Sequence, residues 1–170
     1  FGGAGSDTLH GGAGDDQIFV DNIDLQQNIR GGDGFDTILV STIGSVNLDL
    51  GVVEVEVAFG NDGNDFFYTS AAETVTIFGG AGDDTLIGGS ENDLLLGGEG
   101  ADILDGKAGA DYVSYVGSSE GETVSLLTNF VSGGDAEGDS IGNFEGVIGS
   151  DYSDILSGGD GFEALFGGAG

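Results

Sequence analysis

The chain has 170 residues, 31 of them acidic against two basic, for a formal charge of −29; this balance self-repels and excludes nucleic acid and other phosphate-rich partners unless a cation intervenes. The absence of Cys excludes disulfides and thiolate metal sites, and no apolar run reaches the roughly eighteen residues that would suggest a membrane-spanning helix. The length allows one domain, or two small ones sharing a continuous structure, and 37 glycines raise the entropy that folding must overcome.

In chain order, residues 2–10 (GGAGSDTLH) and 11–19 (GGAGDDQIF) share the frame Gly-Gly-x-Gly-x-Asp-x-U-x, where U is a large apolar residue. An eleven-residue degenerate unit, VDNIDLQQNIR, leads to GGDGFDTIL at Gly31. Counted as half a coil, it stacks Asp16 with Asp36 and sets Asp7 opposite Asp21 or Asp24. From Val40 to Phe59 the frame is lost. There Val46-Leu48-Leu50 and Val53-Val55-Val57 alternate with period two, which predicts two longer strands, with the valines inward because Glu54 and Glu56 belong on the wet face.

The frame resumes at Gly60 as GNDGNDFFY, with Asn61 in the second glycine slot, where Asn tolerates a left-handed backbone. Asp65 then stacks on Asp84, and TSAAETVTIF between them is a half-coil without the acidic turn. Residues 79–114 follow as four unbroken units that space Asp84, Asp93, Asp102 and Asp111 nine apart, in step with Leu86, Leu95, Leu104 and Val113. A second spacer runs to Ile148. It contains GGDAEGDS (residues 133–140), whose alternating Asp135, Glu137 and Asp139 suit either a solvated loop or Ca²⁺ ligation. GSDYSDILS restores the frame with Asp154, and GGDGFEALF replaces the Asp by Glu163. The two spacers echo each other: Asp36 leads through Val46 and Leu48 to Glu56, and Asp111 leads through Val124 and Leu126 to Glu145.

A period of nine fits a tight turn followed by a short strand, wound repeatedly in one direction. Glycines at slots one, two and four permit positive φ and aim carbonyl oxygens into the turn, while slot six adds a carboxylate. The x-U-x tripeptide turns U inward, so two units enclose one thin apolar layer. Such a layer offers little burial against the cost of ordering the backbone, and stacked carboxylates repel. A hard divalent cation reverses that repulsion and accepts the carbonyls; Ca²⁺ suits such a flexible oxygen site better than Mg²⁺ does.

On these repeats the chain resembles the RTX family of secreted bacterial proteins. The resemblance implies an all-β, right-handed parallel β-roll, here with two longer-strand spacer coils, holding several Ca²⁺ ions between turns stacked on the same side. Turns two repeats apart share an ion in that family, which pairs Asp84 with Asp102 and Asp93 with Asp111. The ligand set expected on this basis is Asp7, Asp16, Asp36, Asp65, Asp84, Asp93, Asp102, Asp111 and Asp154, with the turn carbonyls of Gly79, Ala81, Gly82, Gly88, Gly97, Glu99, Gly100 and Gly106. Asp21, Asp24, Asp135 and Asp139 are further candidates. The expected organisation is one continuous solenoid of repeat blocks at 1–39, 60–114 and 149–170, joined by spacers at 40–59 and 115–148. The resemblance also implies type I export of an unfolded chain that folds in extracellular calcium.

Departures from the frame mark weaker sites. Glu91 stands in slot four of its unit and Lys107 in slot two of another, which puts the site between Asp93 and Asp111 in doubt. Asp15, Asp33, Asp83 and Asp160 occupy variable slots and read as solvated charge. The only histidine, His10, faces outward without a partner, and no catalytic constellation assembles, so no enzyme is expected. A different class of function is a surface- or polysaccharide-binding module using Phe66, Phe67, Tyr68, Tyr112 and Tyr115, against the plainer reading that these fill U positions and spacer strands. The sequence opens at Phe1 before one GGAG and stops at Gly170 inside another, so we expect a segment of a larger polypeptide.

Overall fold

The computed structural model describes residues 2–24, 26–161 and 163–170. The x-U-x tripeptides become strands, and eight of them lie side by side in one parallel sheet: Gln17–Val20, Thr37–Val40, Val57–Phe59, Thr76–Ala81, Leu94–Glu99, Tyr112–Ser114, Gly146–Ile148 and Ala164–Phe166. The opposite side of the solenoid is interrupted. Leu9–Ala13 pairs with Ile29–Asp33; a five-stranded group runs Asn47–Asp49, Phe66–Tyr68, Thr85–Ile87, Ile103–Asp105, Ser140–Gly142; and Ile155–Ser157 pairs with Thr123–Ser125, which also pairs with Phe130–Ser132. The chain alternates between the two sides, giving an all-β parallel solenoid of eight coils.

Register follows the U positions. Ile18, Ile38, Ala58, Ile77, Leu95, Val113 and Val147 align as one inward row, and Leu48, Phe67, Leu86, Leu104 and Ile141 as the facing one. Both rows are buried. The coil that contributes the small Ala58 to one row contributes Phe67 to the other, which keeps the apolar layer filled where a single U is undersized.

The spacers differ from expectation. Neither contains a longer strand. After Asn47–Asp49 the chain makes one helical turn, Leu50–Val53, with Asp49 as N-cap accepting from Val52 N–H and Glu54 closing it at φ 57. The cause is local: Asp49 offers the first-turn N–H a carboxylate, a standard N-cap role that a period-two reading ignores. Val53 and Val55 are nevertheless in the core as expected, brought there by a helical turn and a left-handed residue instead of a pleat; Val57, although covered, is not inward, because Ala58 takes the inward position of that strand and Val57 pairs with Thr37 and Thr76 outside the row. In the second spacer, Thr123–Ser125 and Phe130–Ser132 form an antiparallel hairpin, the single departure from parallel pairing among the described residues, with Asn129 at φ 54 between them.

Candidate metal centre: the stacked aspartate turns

The slot-six residues form two ladders along the solenoid, one at each edge where the chain crosses between sides. On the edge leading into the long sheet, Asp16 N–H donates to Asp36 Oδ1 (2.9 Å) and Asp36 N–H to Glu56 Oε2 (2.7 Å). The series restarts as Val75 to Asp93 (2.8 Å), Asp93 to Asp111 (2.7 Å) and Asp111 to Glu145 Oε2 (2.9 Å). On the other edge Val46 donates to Asp65 (2.8 Å), Asp65 to Asp84 (2.7 Å), Asp84 to Asp102 (2.8 Å) and Asp102 to Asp139 (2.8 Å). Asp7 donates to Asp24 Oδ1 (2.8 Å), which decides between the two partners the sequence left open.

Most rungs use one carboxylate oxygen and leave the other. Oδ2 of Asp7, Asp36, Asp65, Asp84, Asp102 and Asp111 is buried without a hydrogen-bond partner. It curls over the slot-one glycine of its own turn, where a Cβ at Gly31 or Gly60 would sit 2.5 Å from it. A carbonyl of the adjacent coil closes in as well: a Cβ on Gly11 would stand 2.6 Å from Asp16 Oδ2 and 2.7 Å from Gly31 O, and one on Gly79 would meet Asp84 Oδ2 and stand 2.6 Å from Gly97 O. Slot-one glycines therefore answer to space. None of them has positive φ; that conformation belongs to slots two and four, as in Gly80 and Gly82 (116° and 122°) and Gly98 and Gly100 (103° and 144°).

Burial pushes the Asp84 carboxyl up to about 7, and the charges of Asp102, Asp65 and Asp83 add to this against the Asp65 N–H bond. Asp102 and Asp111 rise to about 6, Asp65 and Asp93 also rise, and in each burial is the largest cause. A line of carboxylates that resists ionising, most of them with a free oxygen and several with a backbone carbonyl beside it, is an oxygen-donor set lacking positive charge. Among the described residues no three acidic or imidazole side chains converge on one point, so any cation would need backbone carbonyls to complete its shell. These donors fit Ca²⁺, whose ligands are carboxylate and carbonyl oxygens in flexible geometry.

The turns are of two kinds. Residues 79–84 and 97–102 are open, with positive φ at slots two and four and a free Oδ2. The turn 88–93 is closed: neither Gly89 nor Glu91 has positive φ, and Gly89 N–H bonds Asp93 Oδ2 at 2.6 Å. The turn 149–154 closes the same way through Ser150 N–H and Asp154 Oδ2 (3.0 Å). Asn61 does not take the left-handed backbone expected of it; its N–H leans towards Asp65 enough to favour the charged form without satisfying Oδ2. Lys107 does take it, at φ 72, so its turn stays open, and its ammonium pairs with Asp105 at 2.6 Å, away from the ladder.

Other candidates are placed as follows. Asp24 spends both oxygens, on Asp7 N–H and Asp21 N–H, and Asp21 accepts from Ile23 N–H. Asp139 accepts from Asp102 N–H and from the Tyr115 hydroxyl (3.3 Å); burial, then the Asp102 charge, push its carboxyl up to about 7. Asp135 is half-buried, its N–H on Ser118 Oγ. Among the carbonyls, Glu99 O accepts from Gly82 N–H (2.8 Å), while Gly97, Gly79 and Gly106 O flank slot-one glycines of neighbouring coils.

Several residues escaped the sequence reading. Glu56 and Glu145 end their ladder segments, their own N–H groups turning back to Asp36 O and Asp111 O; the echo between the spacers aligned them without revealing the role. Asp15 and Asp83, read as solvated charge, belong with Asn64 and Asn92 to a further ladder at slot five. Asp15 accepts from Phe35 N–H (3.0 Å), Asn64 from Asp83 (3.1 Å), Asp83 from Ala101 (3.0 Å) and Asn92 from Ala110 (2.9 Å). The signal was an Asp or Asn in slot five of four units. Asp33 and Asp160 are exposed. The aromatic strip does not form: Phe67 and Tyr115 are buried, Phe66 and Tyr68 belong to the five-stranded group and Tyr112 to the long sheet opposite.

The RTX calcium-binding nonapeptide repeat matches the chain in four copies, at residues 1–22, 55–72, 77–113 and 147–170, together more than half its length. No curated protein matches the chain. Among the described residues no helix is long and apolar enough to cross a membrane.

Proposed function

Because the chain belongs to the RTX calcium-binding nonapeptide repeat family, and is therefore a Ca²⁺-binding repeat module, we propose that it is the calcium-responsive structural segment of a larger secreted or cell-surface bacterial protein, ordering as ions bind outside the cell. The observation that carries this is the row of buried Oδ2 atoms without partners. A buried ionised oxygen without a partner is costly, so at cytosolic calcium the acidic chain stays disordered, and at extracellular calcium the ion supplies the missing charge. Binding energy becomes folding energy.

The ion-holding groups on this reading are Asp16 with Asp36, Asp65 with Asp84, and Asp84 with Asp102, each pair joined by slot-one carbonyls; Asp111 with Asp93 is a weaker pair because Gly89 N–H already occupies Asp93 Oδ2. We assign the segment no reaction: the carboxylate pairs are used by the ladder. The test is circular dichroism of the chain in chelator and in millimolar Ca²⁺. We expect a disordered spectrum that converts cooperatively to β-structure; a β spectrum indifferent to chelator overturns the proposal.

A further inference from the structure

Residues 114–146 fall outside the repeat match, yet they bury a carboxylate as fully as the repeats do. Glu122 is 1% exposed, and neither of its carboxylate oxygens has a hydrogen-bond partner. Its N–H donates to Asp154 Oδ1 (2.9 Å), the same link that joins stacked repeat aspartates. Glu122 thus takes the ladder place one coil before Asp154, on a segment without the nonapeptide frame.

The groups around it are oxygen donors. Ser118 Oγ donates to Glu120 O (3.1 Å) and accepts from Asp135 N–H (3.1 Å). A Cβ on Gly134, which sits at φ 49, would meet Ser118 Oγ, stand 2.5 Å from Glu122 Oε1 and 3.1 Å from Glu120 O, so these three oxygens converge over the Gly134 backbone, which only glycine allows. Asp154 is already engaged: Oδ1 accepts from Glu122 N–H and Ser150 Oγ, and Oδ2 from Ser150 N–H. No basic side chain of the protein can neutralise the cluster. The chain has two; Arg30 lies by Val52 O and Glu54, and Lys107 holds Asp105.

We propose that Glu122, Ser118 Oγ and the Glu120 carbonyl, with Asp154 beside them, form a divalent-cation site of the calcium type in the second spacer, outside the nonapeptide pattern. The proposal rests on the reading of the chain as a calcium module and adds a site to it. Such an ion ties the loop before Thr123–Ser125 to the Gly133–Gly134 bend and to the turn 149–154. It fastens the antiparallel hairpin to the solenoid where the parallel pairing on that side is interrupted.

The experiment counts Ca²⁺ ions bound to the whole chain by native mass spectrometry, for wild type and Glu122→Gln. Gln reproduces the shape and hydrogen bonding of a protonated Glu but supplies no charge. One ion fewer, with the β spectrum kept, supports the site. An unchanged ion count overturns it and leaves a proton on Glu122. A wild type that binds no calcium removes the parent reading as well, an outcome distinct from either. Should Glu122→Gln fail to fold at saturating calcium, Glu122→Asp decides. Its retracted carboxylate lowers the affinity of one ion by about tenfold or more if the site is real; unchanged calcium affinity across all ions overturns it.

Discussion

The turns at 79–84 and 88–93 lie nine residues apart and share a frame, and yet their aspartates face different surroundings. Asp84 Oδ2 is buried and free, whereas Asp93 Oδ2 receives Gly89 N–H at 2.6 Å. The difference traces to slot four, Gly82 in one and Glu91 in the other. Gly82 takes φ 122, a conformation costly for residues with a Cβ; Glu91 does not take it, the turn collapses, and the Gly89 N–H enters the space beside the carboxylate. Two further turns support this attribution. With Lys107 in slot two but Gly109 in slot four at φ 150, residues 106–111 remain open, and with Tyr152 in slot four residues 149–154 are closed. Slot-four glycine is not sufficient, because the Asn61 turn has Gly63 there and neither residue takes positive φ. What is read as one repeated motif is two local states, of which one leaves a donor for metal.

The largest test of this contrast is Asp84→Ala against Asp93→Ala. Asp84 stands between Asp65 and Asp102 and has a free oxygen, so its loss removes a ligand from two proposed ion positions and also orphans the buried Asp65 N–H, about 1–3 kcal/mol by itself. Asp93→Ala orphans Val75 N–H at a similar cost but removes a carboxylate already engaged. In calcium titrations followed by circular dichroism, Asp84→Ala shifts the midpoint further and flattens the transition more. Equal shifts would remove the distinction between open and closed turns.

The next effect comes from pH, and its sign follows from the raised carboxyls. Asp84 and Asp139 at about 7, and Asp102 and Asp111 at about 6, hold protons in the folded, metal-free state that the unfolded chain releases near 4. Their contribution to metal-free stability is complete below the ordinary carboxylate range and is lost as pH rises through about 6 to 7. Asp154 is held low: burial acts to raise it, but bonds from Glu122 and Ser150 outweigh this, so it works in the opposite sense only at the acid end. Chelated protein therefore gains β-structure on acidification from pH 8 to about 5. Calcium must displace these protons, so its midpoint rises over the same interval. A calcium midpoint independent of pH would mean that the buried carboxyls are not the ligands.

These tests also show what the sequence could and could not disclose. Period and polarity were enough for the U positions of the repeats, and the family resemblance supplied the two-repeat stacking that pairs Asp84 with Asp102 and Asp93 with Asp111; period two failed at Ala58, which takes the inward place expected of Val57. Period alone could not distinguish the two turn states, since a donor N–H entering or leaving the turn depends on φ at single residues. Nor could it assign Glu56 and Glu145, whose longer side chains reach the ladder from segments without the frame, or Glu122, which joins it through its backbone N–H. The helical turn Leu50–Val53 was hidden for another reason: its apolar spacing satisfies period two as well as a single turn of helix, and the Asp49 cap decided the matter.

A smaller change, and in the opposite direction, is expected from Glu91→Gly. Glycine in slot four lets the turn adopt the backbone of 79–84, which draws Gly89 N–H away and frees Asp93 Oδ2 towards Asp111. Calcium affinity rises, and the ion count increases by one if wild type leaves that position empty. The cost is about 0.5–1 kcal/mol of folding stability, read at saturating calcium, from the added chain freedom. Unchanged calcium binding with that stability loss would show that slot four does not control the turn.

The smallest effect concerns Lys107, where three terms nearly cancel. At φ 72 a non-glycine residue carries roughly 1–2 kcal/mol of strain, which Lys107→Gly releases. Against this, glycine adds unfolded-state entropy of about 0.5–1 kcal/mol, and the half-exposed pair with Asp105 contributes about 0–1 kcal/mol. Apart from any effect on the ion, folding stability at saturating calcium therefore moves by less than about 1 kcal/mol in either direction. Calcium responds more clearly, because Asp111 Oδ2 is free in an open turn and the substitution removes a positive charge from it. A modestly tighter ion at the Asp93–Asp111 position, measured beside Glu91→Gly and the double variant, is the expected result. A loss of more than about 2 kcal/mol at saturating calcium would instead identify Lys107 as a resident cation standing in for metal, worth more than an exposed ion pair provides.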